Sequence, residues 1–259
     1  MSETKPLILV SNDDGITAPG IQATVEVMKK LGKVVVVAPD SPQSGMGHAI
    51  TINKPLRMFK NNQFGHEVDS YQCSGTPADC VKLAVDKVLH RKPDLLVSGI
   101  NHGSNSSINV IYSGTMSAAV EGAIEGISAI GCSLLDFGWN ADFEASKHYL
   151  ELVTRNVLEN GLPSDTLLNV NIPKGTKSDI KGVKICRQAR AKWVEEFDQR
   201  EDPHGRNYFW LTGKFTNMDK GEDTDEWALA NNYVSVVPVQ FDLTAHHAIG
   251  KLNTWNLND

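Results

Sequence analysis

The chain is poor in cysteine, in positive charge and in long apolar runs, and each shortage closes off a class of protein. Its four cysteines, Cys73, Cys80, Cys132 and Cys186, are scattered over 259 residues without a C-x-x-C pair. Neither a zinc knuckle nor a redox motif is readable, and the thiols are expected to be reduced packing residues. Lys and Arg (25) are outnumbered by Asp and Glu (31), a formal charge of −6. Binding to a nucleic-acid duplex runs on clustered cations that neutralise phosphates, so this balance argues against such a partner. No stretch approaches the ~20 apolar residues that cross a bilayer, and residues 1–6 lack the basic and apolar segments of a signal peptide. A cytoplasmic protein with no membrane partner is the expectation. Two nucleotide motifs are also missing: there is no G-x-x-x-x-G-K-[ST], and Gly45-Met46-Gly47-His48 does not join a strand to a helix in the dinucleotide pattern.

What is present is alternation of short apolar runs with amphipathic stretches, the pattern of βαβ units and a mostly parallel sheet covered on both faces. Residues 7–10 and 34–37 read as strands. Between them 21–31 reads as a helix, with Ile21, Val25, Met28 and Leu31 on one face and Gly32 as its cap. After a strand at 71–73, Thr76-Pro77-Ala78-Asp79 supplies a hydroxyl cap, a proline at the first helical position and an early acid, predicting a helix to about residue 90. Strands at 95–98, 129–134, 166–172 and 183–186, a helix opening after Ser113 and another over 143–159 complete an α/β core, residues 1–186. From Arg187 the alternation stops. Residues 187–259 read as a β-rich extension with strand-like runs at 208–211 and 233–237. Four of the five tryptophans, Trp193, Trp210, Trp227 and Trp255, fall in it. A segment too small for its own core, yet aromatic, either docks on another subunit or packs back on its own domain.

In an open parallel sheet, ligands bind beyond the carboxyl ends of the strands. Three loops should converge there: Ser11-Asn12-Asp13-Asp14-Gly15, Pro39-Asp40-Ser41-Pro42-Gln43-Ser44-Gly45, and Ser98-Gly99-Ile100-Asn101-His102-Gly103-Ser104-Asn105. Adjacent carboxylates at the end of a buried strand repel each other, so they either gather a cation or cap the following turn. Asp13 and Asp14 with the oxygens of Ser44 and Asn101 give an all-oxygen donor set suited to Mg²⁺ or Mn²⁺. The Gly- and Ser-rich run at 98–105 and the helix start Tyr112-Ser113-Gly114-Thr115 offer backbone N–H groups to a phosphate. His48 and His102 lie in these loops, as proton donors, substrate contacts or ordinary structural histidines.

The motifs Leu9-Val10-Ser11-Asn12-Asp13-Asp14-Gly15, Ala38-Pro39-Asp40 with Ser44-Gly45, Ser74-Gly75-Thr76-Pro77-Ala78-Asp79-Cys80-Val81, and Ser98-Gly99-Ile100-Asn101 with Tyr112-Ser113-Gly114-Thr115 closely resemble the stationary-phase survival protein SurE family of nucleotidases. The resemblance covers residues 7–135 strongly and extends more weakly to Tyr233-Val234-Ser235-Val236 and Asp242-Leu243-Thr244. It implies a Rossmann-like three-layer core and a metal-dependent phosphomonoesterase acting on nucleoside 5′-monophosphates, with 3′-monophosphates and short polyphosphate as further substrates. One divalent ion per subunit would be held by Asp13, Asp14, Ser44 and Asn101. Asp13, Asp14 and Asn101 would be catalytic, and Asn105, Ser113, Gly114 and Thr115 would lie near the phosphate. The resemblance also implies a homodimer or homotetramer that exchanges C-terminal β-rich arms. The run Ser104-Asn105-Ser106-Ser107-Ile108-Asn109 departs from the glycine- and aspartate-containing version common in relatives, which leaves substrate preference open. Two other readings compete: a phosphatase with an aspartyl-phosphate intermediate, against which stands the lack of a D-x-D pair, and a non-catalytic nucleotide-binding protein on the same fold.

Overall fold

The computed structural model describes residues 5–257, so residues 1–4 of the amino-terminal segment read above, and 258–259, lie outside it. In chain order the strands are β1 (Leu7–Ser11), β2 (Lys33–Pro39), β3 (Met58–Asn61), β4 (Asp69–Cys73), β5 (Leu95–His102), β6 (Ala129–Leu134), β7 (Thr166–Ile172), β8 (Val183–Ile185), β9 (Ala191–Glu201), β10 (Asn207–Asn217) and β11 (Val234–Gln240). The helices are α1 (Pro19–Met28), α2 (Pro77–Leu83), α3 (Gly114–Ile124), α4 (Glu144–Asn160), α5 (Asp225–Ala230) and α6 (His246–Leu252).

Successive residues of a strand point to opposite faces, so a continuous apolar run is stable only where both faces are covered. Ile8 and Val10 of β1 pack with Ile21, Val25 and Met28 of α1 and Leu150 and Val153 of α4. Leu9, between them, joins Val81 of α2 and Met116 and Ala119 of α3 on the other face. The result is three layers, helix on sheet on helix. The main sheet has nine strands in the order β3-β4-β2-β1-β5-β6-β7-β11-β8. Only β3 on β4 and β11 on β7 run antiparallel; the other neighbours are parallel. All four cysteines are free and buried.

Local signals set several boundaries. Thr76 and Asp79 form a reciprocal capping box with Pro77 at the helix start. The α-helical part ends at Leu83, earlier than the pattern suggests, and one π-helical turn (Ala84–Val88) finishes the segment. The run at 233–237, read as part of the extension, belongs to β11, which inserts into the main sheet between β7 and β8. Val234 and Val236 are buried there with Ile172 and Val170. What leaves the core is the antiparallel hairpin of β9 and β10, paired from Ala191–Asn217 to Glu201–Asn207. Its faces carry exposed Phe197, Phe209, Trp210 and Leu211, and α6 buries none of its residues.

Candidate active site

The chain leaves β1 for β2 on one side and returns to β5 on the other, so β1 and β5 are neighbours at the topological switch point. A crevice opens there at the carboxyl ends of the strands. Asp13 and Asp14 follow β1, and Asn101 lies near the end of β5.

The aim of Asn101 is set by a bulge. Ser98 pairs with Gly131, but Asn101 pairs with Ser133, so β5 takes three steps where β6 takes two. Helix α1 clamps this bulge from below. The Thr24 hydroxyl donates to the Gly99 carbonyl at 2.6 Å. Gly20 packs so closely that a Cβ there would stand 1.9 Å from the Ile100 carbonyl oxygen. The Asn101 amide nitrogen donates to the Gly103 carbonyl at 2.9 Å and the His102 carbonyl at 3.3 Å, which leaves its oxygen as the group able to accept.

Asp13 is 4% exposed. Both the hydroxyl and the backbone N–H of Thr115 donate to its carboxylate. A Cβ on Gly114 would lie 2.6 Å from the Asp13 Cβ, so only glycine lets α3 bring its amino terminus this close. The His102 N–H donates to Asp14 Oδ2 at 3.2 Å. Burial, joined by the negative charge of Asp14, pushes the Asp13 carboxyl up to about 6 against the Thr115 hydrogen bonds. Burial likewise raises Asp14 above the usual carboxylate range, opposed by the His102 N–H. The loop carrying Ser44 is tied to the same rim at two points. Gln43 N–H donates to the Asp13 carbonyl at 2.8 Å, and Gly47 N–H to the Tyr112 carbonyl at 3.1 Å. Ser44 itself is exposed.

Among the described residues neither Asp13 nor Asp14 has a cationic partner in an ion pair. The side-chain oxygens of Ser11, Asn12 and Ser98 beside them are buried without hydrogen-bond partners. No cluster of three or more His, Cys, Asp and Glu side chains occurs among those residues. The donor set is therefore one buried and one half-buried carboxylate with neutral oxygens, which fits a hard divalent cation and not a thiolate or imidazole site.

The residues expected near phosphate divide into two groups. Ser113 caps α3, its Oγ accepting the Met116 N–H at 3.0 Å, and Gly114 and Thr115 form the first helical turn, against Asp13. Asn105 is buried in a polar layer: its N–H donates to Asn171 at 2.8 Å, its carbonyl accepts from Asn169 at 2.8 Å, and its amide donates to Ser133 at 2.8 Å. The next residues are held from the extension. Ser107 N–H donates to Asp225 at 2.7 Å, the Ser106 hydroxyl to Glu226 at 2.5 Å, and the Ser107 hydroxyl to the Ala189 carbonyl at 2.8 Å. Sequence reading missed Asp225, Glu226 and the Asn169–Asn171 pair. The pair did leave a signal: two polar residues on one face of a strand that is otherwise apolar.

Each loop histidine has one ring nitrogen engaged, and His102 Nε2 is buried without a hydrogen-bond partner. His102 Nδ1 lies 3.0 Å from the Gly138 carbonyl, and the ring stacks on Trp139. His48 Nε2 lies 2.8 Å from Glu121 Oε2, and Lys82 Nζ lies 2.6 Å from Glu121 Oε1. Burial would raise the Glu121 carboxyl, but the hydrogen bonds from His48 and Lys82 outweigh it and hold it below its ordinary 4.5. A carboxyl depressed in the folded state adds stability above its unfolded value, and that stability goes as pH falls through the folded value. Denaturant titrations from neutral pH to about pH 3 should therefore show the wild type losing more stability than Glu121→Gln below 4.5. Parallel curves would refute the assignment.

Comparison with known proteins supplies the rest. The family model described as Survival protein SurE matches residues 8–195. The 5′-nucleotidase SurE of Flavobacterium psychrophilum is 66% identical over 255 residues, 98% of this chain and 99% of that one. The protein of the same name from Flavobacterium johnsoniae is 65% identical over the whole of both chains. The crystal structure of SurE protein from Aquifex aeolicus superposes with a TM-score of 0.83 at 40% identity, covering 96% of this chain and 98% of that one. A matched segment that contains the adjacent Asp13 and Asp14, the bulge that aims Asn101 and the start of α3 makes this chain a member of the SurE family.

Proposed function

We infer that the chain is a 5′-nucleotidase, releasing phosphate from nucleoside monophosphates. The observation that carries this is the adjacent carboxylates of buried Asp13 and half-buried Asp14, neither in an ion pair with a cationic side chain among the described residues, with Asp13 held by Thr115 at the amino terminus of α3, and the names of its full-length relatives agree with it. Asp13, Asp14, Ser44 and Asn101 would hold one Mg²⁺ or Mn²⁺, which when bound supplies a Lewis acid for the phosphoryl group and activates water as nucleophile. Thr115 and the His102 N–H fix the orientation of the two carboxylates. Ser113, Gly114 and Thr115 present the positive end of α3 to the phosphate, beside the loop at Asn105, and stabilise negative charge on the transferring group. Asp13, Asp14 and Asn101 are thus the residues on which turnover depends.

Nucleoside 3′-monophosphates and short polyphosphate end in the same phosphoryl group and are proposed as further substrates. No helix among the described residues is long and apolar enough to cross a membrane, and a cytoplasmic location is proposed. The exposed aromatics of the hairpin and the uncovered α6 support residues 187–259 as an arm through which a homodimer or homotetramer assembles. The decisive assay is phosphate release from nucleoside 5′- and 3′-monophosphates by metal-stripped protein and by protein given Mg²⁺ or Mn²⁺. Release is expected only with metal. Saturable nucleotide binding without release in any metal would instead establish a binding protein.

A further inference from the structure

The proposed reaction explains the phosphate end of the substrate and says nothing of the base. Beside the phosphate site lies a cavity of about 520 Å³, lined by Gly45, Tyr112, Trp193, Glu195, Leu211 and Gly213. That volume falls in the range of small-ligand sites, about 300–1,000 Å³. Its walls come from two places. Gly45 directly follows Ser44, and Tyr112 directly precedes Ser113, the cap of α3. Consecutive Cα atoms are about 3.8 Å apart, so the cavity begins one residue from the metal loop and one from the phosphate helix. The Gly47–Tyr112 hydrogen bond ties these two walls together. The remaining wall is the root of the β9–β10 hairpin.

The Trp193 ring is held with its surface open. Trp193 is fixed at its edge, where Nε1 donates to Asn109 Oδ1 at 2.8 Å, and it meets Phe215 edge-to-face at 5.7 Å. It keeps 40% of its surface exposed, and Tyr112 keeps 52%. A flat π surface next to a phosphate site, pinned in place before any ligand arrives, is what a nucleobase requires.

We propose that this cavity is the base subsite, in which Tyr112 and Trp193 stack on the nucleobase of a monophosphate whose phosphate lies at Asp13 and α3. The inference rests on the nucleotidase reading. Purines cover more of the rings than pyrimidines and are the favoured substrates. The acceptor-only carboxylate of Glu195 faces the amino and ring N–H edge of the base.

The test compares kcat/KM for AMP, UMP and ribose 5-phosphate, which has no base, in wild type, Trp193→Ala, Tyr112→Ala and Trp193→Phe. One base–aromatic stack is worth about 5- to 150-fold. The ratio of AMP to ribose 5-phosphate should fall by that factor in each alanine variant, mainly through KM. It should survive in Trp193→Phe, which keeps the stack and loses the Asn109 hydrogen bond. A ratio unchanged in Trp193→Ala overturns the base subsite while leaving the nucleotidase reading intact, since AMP is still hydrolysed. A ratio that falls in Trp139→Ala instead places the base on the His102 side and also overturns it. Wild-type protein that releases phosphate from none of the three removes the reading on which the subsite rests.

Discussion

Asp13→Asn should abolish phosphate release and, in the same protein, abolish stabilisation by divalent cations. Loss of a partner that merely orients a metal ligand costs about 10- to 100-fold. Loss of a buried ligand carboxylate should cost more, on the order of a thousandfold. The second readout separates the metal role from a general defect. A cation at a hundred times its dissociation constant stabilises the fold by about 2.7 kcal/mol, which for a chain of this size raises the thermal midpoint by roughly 5–10 °C. The shift should be present in wild type and absent in Asp13→Asn. The metal-free variant should itself fold at least as well as metal-free wild type, because a buried charge beside a second carboxylate is gone. A fully active variant, or one that still gains the thermal shift, would remove Asp13 from the site.

The largest effect on stability is expected from Gly20→Ala, the addition of a single methyl group. The new Cβ would fall 1.9 Å from the Ile100 carbonyl oxygen, and the obstacle is backbone rather than a side chain that can swing away. Overpacking of this kind costs about 1–3 kcal/mol and more where the backbone must move. We expect at least about 3 kcal/mol, a fall in the thermal midpoint of roughly 6–12 °C. Activity should fall as well, even below the melting range, because the displaced segment is the bulge that aims Asn101. A stable and fully active Gly20→Ala protein would show that α1 does not set the geometry of the bulge.

These two positions also mark where the sequence was legible and where it was not. Asp13, Asp14 and Asn101 can be placed together from the sequence because strands buried on both faces announce themselves as apolar runs, and ligands gather where such strands end. Gly20 could not be read in this way. Its role depends on which carbonyl passes over it, and that is a property of the packed structure. Thr115 shows the same limit: its place at the start of the helix after Ser113 was readable, its hydrogen bonds to Asp13 were not. Strand β3 is short and only partly buried, with its two apolar residues adjacent, and β9 is exposed along almost its whole length, so neither carries the alternation that betrays a strand. Strand β11 does look like a strand, but nothing within 234–240 says that its neighbours are β7 and β8. Asp225 and Glu226 are invisible for a related reason, since the loop they hold lies more than a hundred residues earlier.

The position of β11 also governs the order in which the molecule can be completed during synthesis. Strand β8 has a single neighbour in the sheet, and that neighbour is β11. β8 therefore emerges from the ribosome before the strand it pairs with, and must wait while the whole hairpin is made. Until Gln240 is out, the flank of β7 is an unpaired edge with backbone donors and acceptors open to any other extended chain. Pairings so distant in sequence are slow to form. The nascent protein is thus most exposed to misassociation at the stage when the strands of the candidate site, β1 and β5, already have the neighbours they need.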